Sequence, residues 1–137
     1  MKKTLLAALA TVLLVGGALG APTTAAADEY PGTVATTTDA GGPHKMTVGK
    51  KPKSSVFIKS AGSGKPVGTI RVQYLHKASE TSRFKTVGYQ GERVTFFGPA
   101  LKKVGKWQLR FTFRPQADSV WKTSRDSYSL NVVKKKR

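Results

Sequence analysis

The chain has 137 residues, with 24 Lys+Arg against 7 Asp+Glu, a formal net charge of +17 and no cysteine. That composition excludes a disulfide framework, and it leaves little acidic material for a general acid–base pair. The positive field attracts acidic polymers within about a Debye length, ~8 Å at physiological salt, although high charge also simply keeps a small domain soluble.

Lys2 and Lys3 precede an uncharged apolar run from Thr4 to Val15, followed by Gly16, Gly17, Gly20 and small residues up to Ala25-Ala26-Ala27. This is the pattern of a secretory signal peptide over residues 1–27, cleaved before Asp28, with a cut after Gly20 as second choice. The apolar run is shorter than the ~20 residues of a membrane helix, so no membrane span is expected in the mature chain. No cysteine follows the run to carry a lipid, and the pair Lys2-Lys3 lacks the twin arginines of the folded-protein export route. The expected location is therefore outside a bacterial cell, free or held to the wall by charge. Cleavage removes only Lys2 and Lys3 among the cations, leaving 110 residues with 22 Lys+Arg against 7 acids, a net charge of +15. That length suits one domain, expected to be monomeric, that buries roughly 65% of its unfolded surface.

The remaining pattern is strand and turn throughout. Residues 28–41 form a Thr/Gly-rich segment with an edge strand expected at Val34–Thr38, which Lys45–Val48 continues beyond Gly41-Gly42-Pro43. Ser54–Ser60 is the next strand, with Val56 and Ile58 on one side. Thr69–Leu75 alternates Ile70, Val72 and Tyr74 against Arg71 and Gln73. Phe84–Tyr89 and Arg93–Phe97 are expected to pair as a hairpin around Gln90-Gly91, where glycine supplies a positive φ. Lys106–Arg114 is the strongest strand. Trp107, Leu109, Phe111 and Phe113 share one face, opposite Gln108, Arg110, Thr112 and Arg114, so one face is buried and the other wet. Ser127–Val133 places Tyr128, Leu130 and Val132 inward, with Ser129 and Asn131 outward. The domain proper is expected over residues 42–134, with a basic tail at 135–137.

Seven or eight short strands in about 100 residues predict an all-β, two-sheet antiparallel sandwich, because two apolar faces must cover each other. Three stretches strengthen this: Met46-Thr47-Val48-Gly49-Lys50 after a Thr-rich strand; Gly64-Lys65-Pro66-Val67-Gly68-Thr69-Ile70-Arg71-Val72; and the hairpin at Gln90-Gly91, then Leu101 through Val104-Gly105-Lys106-Trp107, then Trp121-Lys122-Thr123-Ser124 before a final alternating strand. In this order they resemble the bacterial immunoglobulin-like domains of exported surface proteins, over residues 31–134. The resemblance implies an immunoglobulin-like fold with adhesive or scaffolding use, and no reaction. It also implies that Trp107, in Gly105-Lys106-Trp107, fills a slot where tyrosine is commoner, with a ring N–H that only donates.

No catalytic constellation emerges. His44 lies in a turn and His76 ends a strand, where it is expected to be a solvated loop residue, and neither has metal-ligand spacing. Gly62-Ser63-Gly64-Lys65 lacks the length and the following helix of a phosphate loop. No cofactor and no enzymatic activity are expected. The candidate binding residues are basic. Arg71, Arg110 and Arg114 sit at outward positions of strands that share a sheet in immunoglobulin-like folds, and arginine forks onto phosphate, sulfate or carboxylate. Lys50, Lys51 and Lys53 have a spacing associated with glycosaminoglycan binding, Lys102, Lys103 and Lys106 form a looser group, and Lys134, Lys135, Lys136 and Arg137 make a basic tail. With Trp107, Phe111 and Phe113 committed to the core, no aromatic is expected among these clusters, which speaks against base stacking. The expected function is a secreted binding or structural module that contacts teichoic acid, an acidic polysaccharide or extracellular DNA. The alternative is a secreted effector or inhibitor that engages a protein partner through the loops Ser79–Arg83 or Gln116–Ser124.

Overall fold

A computed structural model of the chain describes residues 33–137; the expected signal segment lies outside the described residues. Among the described residues eight strands run in chain order: β1 (Thr36–Gly41), β2 (Lys45–Thr47), β3 (Lys53–Ser60), β4 (Val67–His76), β5 (Ser82–Gln90), β6 (Val94–Phe97), β7 (Gly105–Pro115) and β8 (Ser124–Val133). They form a small sheet in the order β1-β3-β6 and a large one in the order β2-β8-β7-β4-β5. The pairs are antiparallel except β2 with β8, which run parallel. This is an all-β immunoglobulin-like sandwich.

Alternation places the core as the sequence leads one to expect. Val56 and Ile58 of β3, Ile70, Val72 and Tyr74 of β4, all four apolar residues of β7, and Leu130 and Val132 of β8 are buried between the sheets. Tyr89 adds a cross-sheet tie, its hydroxyl oxygen accepting the backbone N–H of Ile58 at 2.9 Å. At the other side of the sandwich, Thr38 and Ser124 share a hydrogen bond of 2.7 Å, and the Ala40 N–H donates to Asp126 at 2.9 Å. The sheets are thus joined by side chains as well as by apolar contact.

Two expected pairings are corrected. β5 and β6 do not form a hairpin: β5 pairs with β4, whereas β6 crosses to the small sheet and pairs with β3. Gly91 does take a positive φ of 89°, but it serves a change of sheet. Likewise β2 does not continue β1 within one sheet, since β1 lies on β3 and β2 on β8. The turn residues mark a reversal without saying which neighbour each strand chooses.

His76 is a third correction. It occupies the same inward parity as Ile70, Val72 and Tyr74 and is 6% exposed. Its Nε2–H donates to the Val104 carbonyl at 3.0 Å, and its Nδ1 accepts from the Ser79 hydroxyl at 2.6 Å. The ring sits 5.0 Å from Trp107 between centroids. The Trp107 ring N–H donates to the Lys103 carbonyl at 2.9 Å, so it finds a local acceptor within the Lys103–Trp107 corner.

Candidate anion-binding face

The outer face of the large sheet gathers the arginines. In the ladder register Arg71 on β4 stands beside Thr112 on β7, and Thr112 stands beside Arg125 on β8. Arg110 and Arg114 lie two residues either side of Thr112 on the same strand. Strands about 4.8 Å apart and a rise of ~3.4 Å per residue then give a diamond centred on Thr112. Arg71 and Arg125 are about 10 Å apart across it, and Arg110 and Arg114 about 13 Å apart along it.

All four arginines are exposed. The outward positions of the five strands also carry Lys45 and Lys106, and they carry no Asp or Glu. Among the described residues the ion pairs are Lys59 with Asp39 and Lys65 with Glu92, both away from this face. Arg110 instead donates to the Gln108 side-chain oxygen at 3.0 Å. Arg71, Arg110, Arg114 and Arg125 line a shallow depression of about 640 Å³, together with Gln73, Phe84, Thr112, Ser127 and one acid, the inward-parity Asp126. A cluster of like charges costs Coulomb energy, which solvent and salt reduce but do not remove. Anions that bridge two or more guanidinium groups offset that cost, and each bridge is a charge-assisted hydrogen-bonded fork.

Arg71, Arg110 and Arg114 therefore share one face, as their strand parity leads one to expect. Arg125 was missed. Its outward parity with Ser127, Ser129 and Asn131 is the signal that identifies it, but the stretch Ser124–Ser127 has no apolar member to announce a strand. A second omission is Phe84 of β5, which lies beside Gln73 in the register and remains 53% exposed. The Arg71 guanidinium lies over its ring, 4.3 Å from the centroid. This overturns the expectation that no aromatic lies among the basic residues.

The other candidate cations sit elsewhere. Lys53 is on the outer face of the small sheet, 5.9 Å from the Phe97 ring centroid. Lys50 and Lys51 occupy the exposed connection from β2 to β3. The tail Lys134–Arg137 leaves from the end of β8, and the Val48 N–H bonded to the Val133 carbonyl puts this tail and that connection at one end of the sandwich. Arg125 lies eight residues back along β8, about 27 Å away. Lys103 is spent on the β4–β5 turn, donating to Ser79 and Thr81 at 3.2 and 3.0 Å. Lys65, in the Gly62–Lys65 loop, pairs with Glu92, whose hydrogen bond and charge together raise the lysine's pKa.

No protein-family model matches the chain, and no curated protein matches it in sequence. Among solved structures, a CARDB domain from Pyrococcus furiosus in complex with di-metal ions is 18% identical, with a TM-score of 0.48 over 76% of this chain and 92% of that one. A β-glucosidase from Listeria innocua is 17% identical, with a TM-score of 0.48 over 72% of this chain and 16% of that one. Likeness at this level assigns no family, ligand or reaction. Among the described residues no three His, Asp or Glu side chains gather as a metal site.

Proposed function

We propose that the chain is an exported, non-catalytic binding module that attaches to acidic polymers through the outer face of its large sheet. The observation that carries this reading is the diamond of Arg71, Arg110, Arg114 and Arg125 around Thr112, on a face without a single outward acid. The small sheet supplies the opposite layer of the core against which β4, β7 and β8 bury their inward residues. The tail Lys134–Arg137 adds long-range attraction, which speeds encounter more than it sets the bound geometry.

The test is binding of the full chain to immobilised heparin, teichoic acid and DNA at graded salt, beside a variant with all four face arginines replaced by alanine. The reading predicts retention that falls steeply with salt and is mostly lost in the variant. Elution of the native chain no later than a neutral sandwich domain overturns it.

A further inference from the structure

Phe84 contributes little to the core, being half in water at the rim of the arginine cluster. A phenyl ring in that position costs solvation free energy unless something covers it, and Arg71 covers one side only. The guanidinium plane is itself a stacking surface, so Phe84 and Arg71 together present a flat, polarisable step on an otherwise hydrophilic sheet.

The arginines are also arranged in rows across the sheet. Gln73, Arg110 and Ser127 form one row, Arg71, Thr112 and Arg125 the next, and Thr69 with Arg114 the third. Successive rows lie about 6.7 Å apart along β7. A single nucleic-acid strand, drawn out, repeats its phosphates over a comparable distance, so consecutive phosphates meet consecutive rows, each holding at least one arginine. Phe84 lies at the β5 end of the first row, where a base carried by such a strand reaches the ring.

We propose that this face binds single-stranded nucleic acid, with the phosphates along β7 and a base stacked on the Phe84–Arg71 pair. The proposal rests on the acidic-polymer reading of the same face and narrows it. A duplex keeps its bases stacked internally and offers the ring nothing, and a polyanion without bases uses the arginines alone. Gln73, Thr112 and Ser127 can donate and accept alike, which favours sequence-tolerant binding over readout of one base.

The experiment is fluorescence anisotropy of the full chain with labelled oligothymidylate, an abasic oligomer of the same length and a duplex of the same length, with heparin as competitor. Oligothymidylate is expected to bind about tenfold more tightly than the abasic oligomer, a typical stacking contribution. Phe84→Leu should remove that preference, and Phe84→Trp should keep or raise it. Three phosphates, one to a row, predict a slope of log K against log salt of about −2, made shallower by about 0.7 in Arg114→Ala, which leaves its row without a cation. Equal affinity for the thymidylate and abasic oligomers, or no effect of Phe84→Leu on their ratio, overturns stacking and leaves the acidic-polymer reading standing. Displacement by heparin at tenfold lower concentration than by unlabelled oligothymidylate replaces nucleic acid with a sulfated polysaccharide. Failure to bind any of these polyanions removes both readings.

Discussion

The Asp126 carboxylate accepts the Ala40 N–H across the two sheets at 2.9 Å, and strand alternation then turns its neighbour Arg125 to the outer face. One residue of β8 thus fastens the edge strand β1 while the residue before it completes the arginine diamond. Replacing Asp126 by alanine leaves the Ala40 N–H without this charged acceptor. Urea unfolding should show a loss of about 1.5–3 kcal/mol, the range for hydrogen bonds to charged groups.

Tyr74 is fully buried, and its hydroxyl has no hydrogen-bond partner among the described residues. Tyr74→Phe should therefore raise stability by about 1 kcal/mol, since it removes a desolvated polar atom and little volume. Burial also raises the Tyr74 pKa, with the nearby Tyr128 adding to the effect. The folded state then holds its phenolic proton more tightly than the unfolded chain does. The associated stability is complete below the unfolded value of ~10 and is lost as pH rises above it. Urea midpoints measured from pH 9 upward should fall less steeply for Tyr74→Phe than for the native chain, with the lysine titrations common to both.

Gly105 opens β7 at a φ of 126°, and a Cβ there would lie 3.2 Å from His76 Nε2. Gly105→Ala combines backbone strain with pressure on the ring that bonds the Val104 carbonyl. A loss of about 1–3 kcal/mol is expected in denaturant titration. Ala78→Gly, in the exposed β4–β5 turn, should change stability by under about 0.5 kcal/mol.

The legible parts of the sequence are those where a polar–apolar alternation faces the core. β4 and β7 state their inward and outward residues outright, and Arg71, Arg110 and Arg114 followed from that. His76 obeys the same parity, but the charged Lys77 after it suggests a loop. Arg125 lies where both parities are polar, so periodicity is silent. Phe84 is an apolar residue on the wet parity of β5, where Val87 and Tyr89 face the core, and this mismatch is what sets it apart. The β5–β6 crossing was not legible, because a turn glycine permits a reversal but does not select the pairing partner.

Arg125 separates the face from its expected three-residue version. If the diamond acts as a unit, Arg125→Ala should weaken heparin retention about as much as Arg71→Ala does, each lowering the eluting salt concentration measurably in a linear gradient. Lys53→Ala, on the opposite sheet, should shift elution less than either.

The most direct test compares two variants that each remove four positive charges. One carries Arg71, Arg110, Arg114 and Arg125 as glutamine, and the other carries Lys134, Lys135, Lys136 and Arg137 as glutamine. Heparin affinity measured at graded salt should be mostly lost in the first, with a salt slope several tenths to a few units shallower, and largely kept in the second. Equal losses in the two would contradict a built site and leave net charge alone as the cause of binding.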